Sequence, residues 1–392
     1  MKNILNIWFK ELTTVMRDGG ILIFIIFVPI AYPLLYSYVY TNEAVLEVPL
    51  AAVDDCNSSL SRDLLRKLDA TSETRVVARC NDMAEAEEML KRQEVYGILH
   101  IPESFSRDLW RGDQTTVGLY CDMSSMLYYK QLLLSTSNVS LAMNRDIKVG
   151  RYLPGTSDRQ DAVTAMPIEY DDVSLYNPQG GFASFLIPPV LMLILQQTLL
   201  LGIGMAMGNV RERTGGLVMP RLSYYRCPVQ IVVGKTLFYL PLYIIMAVYM
   251  YVLVNDMFAL PRYGGFGTFL AFLMPYLLAC IFLGITLSAL VYRREDCIML
   301  FVFLSVPMLF LSGVSWPLPS MPAFWKYVSW LFPSTFGMNG YVRISSMGAS
   351  LTDVLPELRG LWIQVAVYFT TSCLLYHRHL RRNTSLQNQL AT

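Results

Sequence analysis

Asp54 and Asp55 stand side by side at the end of an apolar run, next to Cys56, where a carboxylate pair can do acid–base work or hold a metal ion. No histidine or second carboxylate cluster lies at ligand spacing nearby, so the pair reads first as a turn and helix cap before Ser58. The nearest approach to a phosphate-cradling loop is Gly234-Lys235-Thr236, but Val229 occupies the position of the required first Gly, and the tripeptide runs straight into an apolar segment. Lys235 reads instead as an anchor that snorkels to water. The histidines are His100, His377 and His379, and neither His-Glu-x-x-His nor Gly-x-Ser-x-Gly occurs, which leaves an embedded hydrolase without support. Cys56, Cys80 and Cys121 fall in one polar region, where a Cys56 to Cys80 bridge is one arrangement; three is odd, and no sequence rule pairs them. Asn57-Ser58-Ser59 and Asn138-Val139-Ser140 match a glycosylation acceptor, which matters only in a eukaryotic secretory route.

The elements that must position these groups follow from composition. Of 392 residues 54% are hydrophobic and 16% charged, and the charges cluster between long uncharged stretches, which points to lipid. The net charge of +1 argues against a nucleic-acid partner. A hydrocarbon core about 30 Å thick needs about 20 apolar helical residues. Windows at 21–40, 182–209, 236–255, 264–292, 297–313 and 360–376 meet that test, the last two being the shortest. Lys2, Lys10 and Arg17 precede the first; Arg211, Arg213, Arg221, Arg226 and Lys235 lie between the second and third. Arg293 and Arg294 follow the fourth, and Arg378, Arg381 and Arg382 the sixth. With six spans all four basic clusters share one side, so both termini are expected in the cytoplasm of a multi-pass inner-membrane protein, with 377–392 as a basic tail.

Residues 41–181 are then expected outside. Strand patterns at 48–53, 75–78, 95–101 and 116–121 alternate with helix patterns at 58–68 and 84–91, and 128–149 reads as a long helix. The fold class is therefore an α-helical membrane protein with about six transmembrane helices, plus an α/β extracytoplasmic domain inserted between spans one and two.

Within the spans the polar residues are Gln196, Gln197, Thr286 and Ser288, suited to helix-to-helix hydrogen bonds or to a substrate pathway. Ion-driven transport normally places ionisable groups inside the bilayer, and the six windows hold essentially none, so an ion-coupled secondary transporter is the weaker transport reading.

The order of elements and a set of motifs resemble the permeases of type-2 ABC exporters over nearly the whole chain. They are Val53-Asp54-Asp55-Cys56-Asn57-Ser58-Ser59-Leu60-Ser61, Val95-Tyr96-Gly97-Ile98-Leu99-His100-Ile101-Pro102-Glu103-Ser104-Phe105, and Val210-Arg211-Glu212-Arg213-Thr214-Gly215-Gly216 followed by Pro228 and Gly234-Lys235. Near the end come Leu311-Ser312-Gly313-Val314-Ser315-Trp316-Pro317-Leu318-Pro319-Ser320-Met321-Pro322 and Pro333-Ser334-Thr335. The resemblance implies a dimer with a second permease copy or paralogue and separate ABC ATP-binding subunits, which would hold ATP and Mg. This chain itself would hold no cofactor or metal and no catalytic residue. It further implies a coupling helix in the loop 209–235, assigned to Arg211, Glu212, Arg213 and Gly215, with Glu212 foremost. Here a second Gly and then Leu217-Val218-Met219-Pro220 depart from the family pattern at the end of that helix.

Residues 1–20 form an interfacial amphipathic helix, with Ile4, Ile7, Trp8, Leu12 and Val15 on one face and Lys10 and Glu11 on another. The resemblance makes it a brace for the ATPase contact. Pro317, Pro319 and Pro322 break any continuous helix in 313–345, and Trp316, Trp325, Tyr327 and Trp330 suit a membrane surface. That re-entrant segment would supply an outer gate at Gly313, Pro317 and Pro322. The expected cargo is hydrophobic or amphipathic, and a periplasmic adaptor is a further partner where the host has two membranes. The competing class is a membrane-anchored sensor or adhesion protein with a ligand-binding outer domain.

Overall fold

The computed structural model describes residues 2–152, 175–177, 180–214, 224–225, 227–289 and 291–391. They divide into a unit of Met1–Glu43 with Ser174–Thr392 and a second unit of Ala44–Val173.

In the first unit α1 (Lys2–Met16) leads to α2 (Gly19–Val39), one of five helices among the described residues that are long and apolar enough to cross a membrane. Asp18 caps α2 by accepting the Gly20 and Ile21 N–H groups. A π turn at Ile23–Phe27 precedes Pro29; the widened turn suits a residue that has no N–H and whose ring would crowd the preceding carbonyl.

The second unit follows in sequence as β1 (Val48–Asp54), α3 (Ser59–Asp69), β2 (Thr74–Cys80), α4 (Met83–Lys91), β3 (Gly97–Ile101), α5 (Phe105–Arg111), β4 (Gly118–Cys121) and α6 (Met126–Tyr152). The sheet order is β2-β1-β3-β4, with the first three strands parallel and β4 antiparallel to β3. Parallel neighbours require crossover helices, and α3 and α4 supply them. They leave β1 buried on both faces: Val48, Leu50 and Ala52 pack with Leu64, Leu65, Leu68, Leu132 and Val139, while Ala51 and Val53 pack with Ala86 and Ile98. The expected strands and helices all form within three residues of their expected ends; α5 is additional.

The first unit resumes with α7 (Phe182–Arg213), α8 (Pro228–Met257), α9 (Phe266–Ser288), α10 (Arg294–Leu311), α11 (Ala323–Ser329), α12 (Pro333–Met347) and α13 (Leu355–Ala391). Helix α7 is buried along almost its whole length, and α2, α8, α9, α10 and α12 pack on it. Small residues permit the approach: a Cβ at Gly202 would stand 2.2 Å from Ile25 Cγ1, and one at Gly204 2.2 Å from Cys297 Sγ.

The fold class is that of an α-helical membrane protein carrying an α/β insert. The fifth expected span differs from the other five. Helix α10 opens with Arg294, Glu295 and Asp296, so its uncharged part is Cys297 to Leu311, about 22 Å long at 1.5 Å per residue and short of a full hydrocarbon core.

Candidate functional site at the helix ends

Of the residues expected to meet another subunit, Arg211, Glu212 and Arg213 stand at the end of α7 and Trp8, Lys10 and Glu11 on α1. At 32 residues α7 is about 48 Å long, more than the hydrocarbon core requires, and its last turn carries Arg211, Glu212 and Arg213. These three do not share one surface. Arg211 is 3% exposed. Its guanidinium donates to the Ala289 carbonyl at 2.9 Å and to that of Val291, and stacks 5.1 Å from the Tyr292 ring centroid, tying the α9–α10 turn to α7. Glu212 and Arg213 are exposed, and a Glu212 oxygen accepts the Arg294 backbone N–H at 3.0 Å. Gly215 and Gly216 lie outside the described residues, as do Leu217 to Pro220, Arg221 and Arg226.

Helix α1 is docked against α8 by a contact that sequence reasoning divided wrongly. Glu11, expected on the polar face, lies in the buried stripe Ile7, Glu11, Val15. Lys235 does not snorkel: its Nζ lies 2.6 Å from Glu11 Oε2, and both side chains are 5% exposed. Tyr239 donates to the other Glu11 oxygen at 2.8 Å. Gly234 brings the helices close enough for this, since a Cβ there would stand 2.8 Å from Ile7 Cγ2. Trp8 packs half-buried beside the same core, Lys10 is exposed, and Leu5, Phe9 and Met16 are exposed apolar residues. The i, i+4 spacing of Ile7, Glu11 and Val15 was the available signal: an acid within an apolar row needs a buried cation.

Three of the four polar residues expected in the spans join helices, and the fourth, Ser288, bonds within its own. Gln196 and Gln197 are buried on α7 with both amides 3.1 Å from Met308 Sδ on α10, and Gln196 Oε1 accepts from Cys280 on α9. Thr286 meets Thr371 and Ser372 on α13 at 3.1 and 3.0 Å, and Ser288 donates to the Ile285 carbonyl.

At the opposite end of α7, Gly313 has φ +92° and Leu318 packed where a side chain would stand, so only glycine fits. Pro317 and Pro322 open a 3-10 turn and α11, giving the short broken segment that was expected. Asn339 on α12 holds the end of α10 through the Ser312 carbonyl at 2.7 Å. A cavity of about 400 Å³ lies here, lined by Phe185, Gly313, Trp330, Phe336 and the Arg343–Glu357 ion pair at 2.9 Å.

In the second unit Asp54 forms the expected turn, accepting from the backbone of Cys56 and Asn57 and from Ser61 Oγ at 2.7 Å, while Ser58 caps α3. Asp55 does meet a histidine: β1 and β3 pair so that His100 Nε2 lies 2.8 Å from its carboxylate. Among the described residues no group of three His, Cys, Asp or Glu side chains could hold a metal. Cys56, Cys80 and Cys121 are free thiols, so no Cys56–Cys80 bridge forms.

Residues 20–374 match the family model of the ABC-2 family transporter proteins. The chain belongs to that family. It is 23% identical over 384 residues to the inner membrane transport permease YhhJ of Escherichia coli (strain K12), covering 96% of this chain and 98% of that one. It is 22% identical over 375 residues to the linearmycin resistance permease protein LnrN of Bacillus subtilis (strain 168), covering 91% and 94%. It is also 25% identical over 283 residues to ABC transporter G family member 20 of Dictyostelium discoideum, covering 69% of this chain and 36% of that protein. ABC-2 membership makes this a multi-pass membrane permease, the transport subunit of an ABC transporter.

Proposed function

We propose that this chain is the permease subunit of an ATP-driven exporter, moving a hydrophobic or amphipathic substrate out of the cytoplasm or inner leaflet with ATP hydrolysed on a separate ABC subunit. The observation that carries the reading is the end of α7, which outruns the hydrocarbon core and presents an exposed Glu212, held to Arg294 at the start of α10, and an exposed Arg213. Glu212 and Arg213, with Gly215 beyond them, would receive the ATPase, and Lys10 and Trp8 would brace it. Arg211 acts from inside, fixing the α9–α10 turn under that contact.

Six crossings, with α10 as the fifth, put the basic clusters and both termini in the cytoplasm and the α/β unit outside, in reach of a periplasmic adaptor. A second permease copy or paralogue completes the passage. Helix α10, short for the hydrocarbon core, would be matched by local thinning of the bilayer or by packing against a neighbouring subunit. The Gly313–Pro322 segment closes the outer side. The relative named for linearmycin resistance supports outward movement.

Inverted membrane vesicles from cells expressing the chain with its ATPase should accumulate a fluorescent amphiphile on ATP addition. Accumulation that persists without ATP and collapses with the proton gradient would replace this reading with an ion-coupled one.

A further inference from the structure

Where α2, α7 and α10 meet, one guanidinium serves carboxylates from two different helices. Asp18 is 8% exposed. One of its oxygens accepts the Gly20 and Ile21 N–H groups at 3.2 and 3.4 Å, and the other accepts the Asn209 amide at 2.8 Å and pairs with Arg294 Nη2 at 2.7 Å. Glu212 lies one turn beyond Asn209. Its Oε1 accepts the Arg294 backbone N–H at 3.0 Å, and its Oε2 stands 3.4 Å from Arg294 Nε, an ion pair that makes no hydrogen bond. The backbones touch as well, since a Cβ at Gly208 would stand 3.2 Å from the Arg294 nitrogen.

The two acids hold the cation unequally. Asp18 is buried and fixed by its cap, so withdrawing Arg294 would leave a buried, uncompensated charge. The Glu212 side chain is 42% exposed and its outer oxygen is loosely held. A cation arriving from solvent can therefore engage that oxygen while Oε1 keeps the start of α10 and Arg294 keeps Asp18. We propose that Arg294 is a positioning residue for energy coupling: it binds the ends of α2, α7 and α10 into one rigid clasp, so that a pull on Glu212 moves all three together. The proposal rests on the permease reading above. Without the Arg294 side chain the residue 294 N–H still ties α10 to Glu212 and Asn209 still ties Asp18 to α7, but no charge joins α10 to α2, and the three ends no longer move as one.

The test uses the full chain with spin-labelled amino acids introduced by codon suppression at the exposed positions Arg17 and Glu295, which leaves the native cysteines in place. In the chain alone the distance distribution between them is narrow; it broadens in Arg294→Gln, narrows again in Arg294→Lys, and stays narrow in Glu212→Gln. In complex with the ATPase, Arg294→Gln lowers kcat for ATP roughly tenfold, the loss expected for one charge-assisted hydrogen bond, with KM for ATP unchanged and partial recovery in Arg294→Lys. Should Arg294→Gln not accumulate, the charge-neutral pair Asp18→Asn/Arg294→Gln is expected to do so and to show the same broadening. An unchanged 17-to-295 distribution in the chain alone overturns the clasp. Broadening with wild-type kcat overturns the coupling role, and failure of the unmodified chain to bind any ATPase overturns the permease reading while leaving the distance result to judge the clasp.

Discussion

Replacing Lys235 by Met tests whether α1 is held by its buried charges or only by its apolar stripe. The Glu11 and Lys235 side chains are each 5% exposed and 2.6 Å apart, so removing the ammonium leaves a carboxylate with Tyr239 as its remaining partner in a dry setting. Breaking a buried pair on one side costs about 3–5 kcal/mol, which corresponds to a population of released α1 larger by about two to four orders of magnitude. Lys10 and Arg17 are exposed trypsin sites at α1, and cleavage there requires local release, so its rate follows that population when reclosing is fast. Glu11→Gln/Lys235→Met removes both charges and keeps an acceptor for Tyr239; its cleavage rate should return to within about tenfold of the unmodified protein. A Lys235→Met protein cleaved at the native rate, or a double variant as labile as the single one, would refute the reasoning.

Gly313→Ala should destabilise the protein by at least about 1 kcal/mol, because φ is +92° and the new Cβ would stand 2.6 Å from Leu318 Cγ; thermal unfolding in detergent reads this, and an unchanged midpoint would contradict it. Ser58→Ala removes the side-chain cap on the Ser61 N–H, at a cost of about 1 kcal/mol, and should speed hydrogen exchange in the first turn of α3 about fivefold. Burial pushes the Cys121 thiol up to about 11, so only about a thousandth is thiolate at pH 8. Its alkylation should still be accelerating above pH 10, and a plateau below pH 9 would be the contrary result.

What could be read from the residues depended on the range of the interaction. Apolar windows and period-two runs are local, so the chain showed its helices, its four strands and the Asp54 turn. The meeting of Asp55 with His100 was invisible because it depends on β1 and β3 lying side by side, which is a consequence of strand order. Lys235 was misread for a similar reason. A lysine at a helix start suggests snorkelling, and only the docking of α1, 224 positions away in sequence, supplies its acid. Arg211 reads in sequence like its neighbours Glu212 and Arg213, yet 100° of helix rotation per residue turns it inward to the α9–α10 carbonyls. The start of α10 was placed late, because charges at the mouth of a span look like loop until Asp18 and Glu212 are seen to hold them.

The central claim is that this permease is driven by a separate ATPase acting at the end of α7. Co-expression of the chain with the ABC ATP-binding subunits of its own genome, followed by affinity purification, measures it most directly. The account predicts a stable complex with vanadate-sensitive ATP turnover that falls in Glu212→Ala while the complex itself persists. An ATPase that never co-purifies, or turnover that Glu212→Ala leaves untouched, would contradict it.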